Sequence, residues 1–305
     1  MDRLHLMTVF VAVAEAESFS AAARRLSMSS PAVTRAITTL EKRLGVRLLT
    51  RTTRFVRATE AGLRYLEDAR RIIAEADEAD EAVSGINATP RGRLMVTAPV
   101  LFGRMFVTPV VVEYLRRYPE VTVSALFLDR VVNLIEEGLD VGVRIGHLPD
   151  SSLQAIRVGQ VRSVLCASPA YLKQHGMLSA PDDLMRHTLI APGMTPQVEW
   201  KFMRDARSMS LKVTPRLVVT SMDAAIEAAR SGFGIARVLS YQIAPWVATG
   251  ELQVVLDPFE TAALPIHVIH REGRQSAAKV RSFVDMVVQA LRADAALGHR
   301  EHQSR

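Results

Sequence analysis

The segment from Ser20 to Ala58 combines a high positive charge with apolar residues at helical spacing. It holds nine arginines and lysines and a single acid, Glu41, so its charge of +8 exceeds the +6 of the whole chain of 305 residues. Within it, two short helical patterns are separated by the turn-like sequence Ser27-Met28-Ser29, an arrangement typical of a helix-turn-helix. A segment more basic than the chain that contains it indicates a polyanionic partner.

Capping residues and apolar spacing set the expected helix boundaries. Apolar residues recur at helical spacing over residues 3–16, which predicts an amphipathic first helix. Ser20 is the expected N-cap of a short second helix. Ser30 is the expected N-cap of the third helix, which has Pro31 at its first position and is expected to end at Gly45.

The third helix carries an apolar stripe and an opposite polar face. Val33, Ile37 and Leu40 lie on the stripe, which is expected to face the core. The polar face offers short hydroxyl groups and one guanidinium capable of bidentate bonding, a set suited to base edges in a major groove. Its members are Ser30, Pro31, Thr34, Arg35 and Thr38. Periodicity alone fits a merely solvated face on a helical hairpin as well.

The stretch that follows, residues 46–62, alternates between apolar and polar residues, which predicts a small β-hairpin beside the third helix. It carries four arginines, namely Arg47, Arg51, Arg54 and Arg57. A recognition helix flanked by a basic wing favours double-stranded DNA as the polyanion.

Thr59 and Glu60 are expected to begin a long helix with the opposite charge balance. From Glu60 to Val83 eight acids face three arginines, a local charge of −5, so this helix is unsuited to contact phosphates. Its apolar residues recur at alternating spacings of four and three, typical of a coiled coil with a second copy. The predicted seam comprises Tyr65, Ala69, Ile72, Ala76, Ala79, Val83 and Ile86. The alternative is a helix that packs on its own chain.

Together these motifs resemble the N-terminal domain of LysR-type transcriptional regulators. The shared positions run in fixed order through SFSAAARRL at 18–26, SSPAVTRAITTLEKRLG at 29–45 and LLTRTTR at 48–54. The resemblance implies promoter DNA and a small-molecule effector as partners, a homodimer or homotetramer as the assembly, and RNA polymerase as a further partner to consider.

By position, the resemblance also implies further DNA contacts and the domain boundaries. The amides of Ser20 and Ala21, with Arg51 and Arg54 on the wing, would hold phosphates. The implied α/β organisation is a winged helix-turn-helix, a linker helix for dimerisation, and a domain of two Rossmann-like lobes similar to periplasmic solute-binding proteins. The ranges are 1–58, 59–89 and 90–305, with lobe one at about 90–162 and 265–305 and lobe two at about 163–264.

Residues 90–305 alternate between strand-like and helical runs, which favours parallel sheets with crossover helices. The breaker sequence Asn87-Ala-Thr-Pro-Arg-Gly marks the expected domain boundary. VVNLIEEG, at 131–138, is expected to be one of the helices. The two connections between the lobes are expected near Arg162–Ser168 and Leu264–His270.

A small-molecule effector is expected in the cleft between the lobes, where strands end. Two strand-to-helix junctions, at 97–103 and 220–223, should face it, and the guanidinium of Arg144 offers a fork for an anion, with a salt bridge as the alternative. The family commonly has serine or threonine after the first strand, but Pro99 and Val100 cannot donate a side-chain hydrogen bond, which argues against a simple aromatic acid. The expected effector contacts are Pro99, Val100, Leu128, Arg144, Ala191, Thr220 and Ser221.

Composition and motifs argue against several other classes of protein. Cys166 is the only cysteine, so an intrachain disulfide is excluded, and this usage fits a reducing cytoplasm. No apolar run is long enough to cross a bilayer, and the N-terminal residues lack a cleavage motif. The eight histidines are scattered, and His267 and His270 should point to opposite faces of one strand. No metal, cofactor or catalytic residue is therefore expected.

The expected function is that of a cytoplasmic, sequence-specific DNA-binding regulator controlled by a small molecule between its lobes. One alternative is a DNA-binding protein whose second domain serves only in assembly. Another is a solute-binding or enzymatic protein whose N-terminal module only dimerises. The local charge of +8 argues against the latter, because dimerisation requires no such excess of bases.

Overall fold

The structure is a computed structural model that describes residues 2–51, 56–83, 89–149, 153–271 and 277–298. The chain divides into two compact units, which we describe separately. The first comprises residues 1–89, with which the short segment 274–278 is grouped, and the second comprises the remainder. In the described part of the chain, no helix has the length and apolar character needed to span a membrane.

The first unit is a helical domain with a small hairpin. Its elements are α1 (Arg3–Ala16), α2 (Phe19–Arg25), α3 (Ser30–Leu44), β1 (Leu49–Arg51), β2 (Val56–Ala58) and α4 (Glu60–Val83). α1 packs against the other three helices, and its fully buried Phe10 and Val13 share one core with Ile37 of α3. β1 and β2 pair antiparallel. The predicted winged helix-turn-helix is confirmed.

Hydrogen bonds place two helix starts slightly earlier than predicted. Ser18, not Ser20, caps α2, and Ser29, not Ser30, caps α3. Each capping hydroxyl accepts from the amide three residues further on, at 3.3 Å. Gly45 ends α3 as predicted, with a φ of +69° that glycine adopts without strain.

The second unit alternates strands with helices. Its strands are β3 (Gly92–Ala98), β4 (Val121–Phe127), β5 (Val141–Ile145), β6 (Leu153–Val161), β7 (Ser163–Ala167), β8 (Leu189–Pro192), β9 (Val198–Arg204), β10 (Arg207–Val213), β11 (Leu217–Val219), β12 (Ile235–Leu239), β13 (Gln253–Val255) and β14 (Leu264–Arg271). Its helices are α5 (Val100–Phe102), α6 (Thr108–Arg117), α7 (Pro169–His175), α8 (Met222–Arg230), α9 (Ser240–Ala248) and α10 (Ala278–Ala293). A π-helical turn, Gly103–Val107, joins α5 to α6.

Two five-stranded sheets form the two lobes of this unit. Lobe one has the strand order β4-β3-β5-β14-β6, in which β3 runs parallel to β4 and β5 while β14 runs antiparallel to both of its neighbours. Lobe two has the order β11-β8-β12-β7-β13, with β8 parallel to β11 and β12 and with β7 antiparallel to both of its neighbours. β9 and β10 form a separate hairpin. The predicted two-lobed α/β domain is confirmed.

The chain passes between the lobes twice, close to the predicted places. Arg162 alone joins β6 to β7, and residues 256–263 join β13 to β14. The first connection is tied to the start of α9, because the amide of Arg162 donates to Oγ of Ser240 at 3.1 Å and the amide of Ser240 donates to the Arg162 carbonyl at 2.8 Å. The second connection is a loop that contains the short 3-10 turn Asp257–Phe259.

The predicted helix at 131–138 is wrong, because this described segment forms turns instead. The side chain of Asn133 accepts a hydrogen bond from the amide of Ile135 at 3.0 Å, a local bond that competes with helix formation. The carbonyl of Val132 accepts from Nη2 of Arg144 at 2.9 Å, so a side chain takes the acceptor that a helix would use.

Candidate functional site

The predicted reading face of α3 points to solvent. Thr34 is half-buried, and the exposed members are Ser30, Pro31, Arg35 and Thr38. On the opposite side of the helix, Val33 and Ile37 are fully buried in the core. The helix therefore divides into a core face and a free face as predicted, while contact with DNA stays a prediction.

Arg35 and Thr38 are the most versatile hydrogen-bonding groups on this face. The guanidinium of Arg35 makes no hydrogen bond or ion pair with any residue that the structure describes. The hydroxyl of Thr38 donates to the carbonyl of Thr34 at 2.9 Å, which leaves its lone pairs free to accept. The face thus presents a bidentate donor and an acceptor within one helical turn of each other.

The single acid of the basic segment binds the backbone of the wing. Oε1 of Glu41 accepts hydrogen bonds from the amides of Leu48 and Leu49, at 2.9 and 3.1 Å. Both leucines are almost completely buried. The hydroxyl of Thr59, the residue after β2, donates to the carbonyl of Arg47, which precedes β1, at 2.9 Å. These bonds fix the wing relative to α3.

The wing also meets the start of α4 at Gly62. A Cβ atom on this residue would lie 2.0 Å from the carbonyl oxygen of Leu48, so only glycine permits this approach. The backbone of Arg51 belongs to β1, but its side chain and the whole of Arg54 lie outside the described residues. Their contacts with phosphates stay a prediction.

At the start of α2, the amide predicted to hold a phosphate is already engaged. The amide of Ala21 donates to the capping hydroxyl of Ser18 at 3.3 Å, so a phosphate there would share or displace the cap. Ser20 is exposed, and its hydroxyl lies 3.1 Å from that of Ser18. Two hydroxyl groups therefore stand beside this helix end, where an anion is favoured.

The first part of the predicted dimerisation seam is wrong, because it packs on its own chain. Ala69 is fully buried against the core of its own unit, and Tyr65 contacts Phe10 with ring centroids 5.5 Å apart. Ile72, on the same helical stripe, is 37% exposed, and Ala76 is half-buried. The remaining predicted contacts fall on side chains outside the described part, namely Ala79, Val83 and Ile86.

At the end of β3, a carboxylate of the chain itself accepts a hydrogen bond from the first amide of the following helix, α5. Oδ1 of Asp129 accepts from the amide of Val100 at 3.0 Å. Val100 itself is 39% exposed and Pro99 is half-buried. The carbonyl of Ala98 accepts from the amide of Leu128 at 2.9 Å, which holds the two strand ends together. Asp129, which no local sequence pattern marks, is thus the residue at the predicted anion position.

A second carboxylate joins the two lobes across this junction. Nη2 of Arg104, in the π-helical turn, donates to Oδ1 of Asp223 in the first turn of α8, at 3.3 Å. Thr220 and Ser221 are exposed beside it, and Ser221 caps α8 by accepting from the amide of Ala224 at 3.4 Å. The two predicted strand-to-helix junctions are therefore brought together.

The other predicted effector contacts pack within a single lobe each. Ala191 in β8 is fully buried and presents no side-chain surface to a ligand, so that prediction is wrong. Leu128 packs against an apolar cluster that includes Leu134. Arg144 donates to the carbonyls of Val132 and Val143 of its own lobe, at 2.9 and 3.4 Å, and burial lowers the pKa of its guanidinium. In this conformation its guanidinium is turned to the backbone and forms no salt bridge with the described residues of the other lobe.

Reactive side chains are few in the described ranges. Cys166 is fully buried in β7, and burial raises the pKa of its thiol to about 12, so the thiolate that would react is disfavoured. No group of three or more histidine, cysteine, aspartate or glutamate side chains among the described residues is arranged to hold a metal ion.

Comparison with known proteins assigns a family to both units. Residues 4–63 match the family model described as bacterial regulatory helix-turn-helix protein, lysR family, and residues 87–292 match the LysR substrate binding domain. An uncharacterized HTH-type transcriptional regulator of Haemophilus influenzae is 32% identical over 92% of this chain and 98% of its own length. An HTH-type transcriptional repressor of Pseudomonas aeruginosa is 32% identical over 95% of this chain and 92% of its own. The structure of CrgA, a LysR-type transcriptional regulator from Neisseria meningitidis, is 30% identical, with a TM-score of 0.61 over 94% of this chain and 98% of that one.

Proposed function

Because the chain belongs to the LysR family of transcription regulators, we propose that it binds promoter DNA sequence-specifically and that a small molecule between its lobes controls this binding. Its relatives are transcription regulators, not enzymes. In this proposal α3 enters the major groove and the wing contacts the adjacent backbone. The proposed ranges of the functional parts remain 1–58 for DNA binding, 59–89 for dimerisation and 90–305 for effector binding.

The observation that carries the proposal is the free face of α3 within the most basic part of the chain. The segment has a charge of +8, and its only acid is held by two backbone amides. Arg35 stands on the exposed face with no partner among the described residues. A guanidinium so placed is free to bind a guanine bidentately, and the surrounding bases attract phosphates.

The test is a binding selection on fragmented genomic DNA, performed at low and at moderate salt. We expect fragments enriched at both salts that share an inverted repeat with half-sites one or two helical turns apart. Enrichment only at low salt, without a common sequence, would show that the basic surface binds phosphates alone.

We also propose that the distal part of α4 joins two copies. The stripe that contains Tyr65 and Ala69 is covered by α1, but it continues to Ile72, which is already 37% exposed. An apolar side chain at this position on an otherwise acidic helix is suited to a second copy of the same helix. Two copies would place two reading helices on a pseudo-palindromic site.

For the effector, the charges at the junction of the lobes favour a ligand that donates hydrogen bonds. A carboxylate ligand would have to displace Asp129 from the amide of Val100, whereas a donor would use Asp129 as its acceptor. Calorimetric titration with matched pairs of metabolite acids and amides tests this point. We expect the amides to bind, and preferential binding of the acids would refute it.

A further inference from the structure

A cavity of about 660 Å³ lies where both connections between the lobes run beside α9. Its walls include Arg162 of the first connection, Glu260 of the second, and residues of α9. It also reaches the turn Ala295–Leu297. None of the predicted effector contacts lines it, so it is distinct from the junction at β3 and α8. Its volume is in the range that binds drug-sized ligands.

Slightly more than half of the wall is apolar. Side chains from three separate parts of the chain converge on the cavity, among them Val161, Ile243, Ala244, Val247, Val254 and Ala263. Val161 and Ile243 are almost fully buried, whereas Val247 is 40% exposed. A hydrocarbon or aromatic group would therefore gain by leaving water for this space.

Among the described residues that line the cavity, the charged groups are two carboxylates, those of Asp257 and Glu260, and one guanidinium, that of Arg162. Nη1 of Arg162 donates to both carboxylate oxygens of Glu260 at 2.9 Å, and the Glu260 side chain is 12% exposed, so this guanidinium is paired within the wall. Asp257 lines the same cavity, and its carboxylate makes no ion pair or hydrogen bond with any described residue. Asp257, which is exposed, thus offers a carboxylate beside apolar walls, and this charge favours a cation over an anion.

We propose that this cavity is a second ligand site, specific for amphipathic organic cations: an ammonium group attached to an aromatic or aliphatic body. The ammonium group pairs with Asp257, and the body contacts Val247 and its apolar neighbours. Because a ligand there touches both connections between the lobes, its binding stabilises one arrangement of the lobes over others.

The experiment is calorimetric titration of the full chain with three probes of nearly equal shape: 2-phenylethylammonium, 2-phenylethanol and 3-phenylpropanoate. We expect the ammonium probe to bind at least tenfold more tightly than the carboxylate, with the alcohol between them. Asp257→Asn should reduce this preference to less than threefold and leave the affinity for the alcohol unchanged. Asp285→Asn, which removes an exposed carboxylate of α10 outside the cavity, is the matched control.

Two further measurements locate the binding. Val247→Trp places a large side chain into the cavity and should abolish binding of all three probes; the circular dichroism of the variant shows that it folds. Exchange of the Arg162 amide, which donates to Ser240, should slow at least threefold with the ammonium probe present. A chain ending at Gly298 should bind equally, because the proposed contacts all precede that residue.

Three results would overturn the proposal: no binding of any probe at millimolar concentration, binding of the carboxylate as tight as that of the ammonium, or binding that survives Val247→Trp in a folded variant. None of these results bears on DNA binding or on the junction at Asp129.

Discussion

Removal of the Glu41 carboxylate should loosen the wing while making the DNA-binding unit more basic. In Glu41→Ala, the amides of Leu48 and Leu49 lose their acceptor, and both residues are buried, with exposures of 1% and 3%. A buried donor left without a partner costs about 1–3 kcal/mol. Because both amides share one oxygen, we expect a total loss of about 2–4 kcal/mol in the free energy that holds the wing closed.

Amide hydrogen exchange in the full chain measures this loss at the two residues concerned. A loss of 2 kcal/mol corresponds to roughly thirtyfold faster exchange at the amides of Leu48 and Leu49. Glu41→Gln keeps a carbonyl acceptor and should therefore exchange at rates between those of the wild type and Glu41→Ala. Binding to random-sequence DNA should rise slightly in both variants, because each gains one unit of positive charge.

Unchanged exchange in Glu41→Ala would refute this reasoning. It would mean that the wing is held by its strand pairing and by Thr59, whose hydroxyl donates to the Arg47 carbonyl at 2.9 Å, and that Glu41 serves another purpose.

Three further changes test the contact between copies, the approach of the wing to α4, and a partly buried histidine. Ile72→Glu should give monomers by light scattering, because it places a charge on the proposed contact between two copies, whereas Leu63→Glu, at an exposed apolar position outside the seam, should leave the dimer intact. Gly62→Val should lower the thermal midpoint by several degrees in calorimetry, because a Cβ would lie 2.0 Å from a carbonyl oxygen of the wing. Burial, with the nearby charge of His175, lowers the pKa of His187, so folding favours its neutral form. The urea midpoint should therefore fall between pH 7.5 and 5.5, and fall less in His187→Gln.

For each of these three changes, one result would contradict the expectation. A dimer that survives Ile72→Glu would remove α4 as the contact between copies. A Gly62→Val variant of full stability would mean that the wing and α4 separate without cost. An equal fall of the midpoint with pH in His187→Gln would assign the dependence to other groups.

The N-terminal unit was largely predictable because its determinants are local. The apolar stripe of α3, the glycine at its end and the alternating wing each act over a few residues, and the structure has all three. The N-caps were predicted one or two residues late. Two serines stand near each helix start, and serine is a favourable N-cap residue at either position. Only the hydrogen bond geometry selects Ser18 and Ser29.

The junction of the lobes was less predictable because its contacts join distant parts of the chain. Asp129 meets Val100 across 29 positions, and Arg104 meets Asp223 across 119, and no local pattern marks such pairs. α9 was also missed, since Pro245 within it disfavours a helix. The cavity beside α9 could not be inferred from the sequence either, because distant parts of the chain form its wall together with this helix.

Substitution of Arg35 tests most directly whether the free face of α3 reads base sequence. Fluorescence anisotropy would compare the wild type, Arg35→Ala and the charge-matched control Arg64→Ala on a selected operator and on a scrambled duplex. We expect Arg35→Ala to weaken operator binding by about 1–3 kcal/mol, roughly 5- to 150-fold, while binding to the scrambled duplex changes far less. Arg64→Ala should preserve the preference for the operator, because Arg64 lies on α4 and pairs with Glu60. Equal loss on both duplexes in Arg35→Ala would show that Arg35 contacts only phosphate and would contradict the assigned reading face.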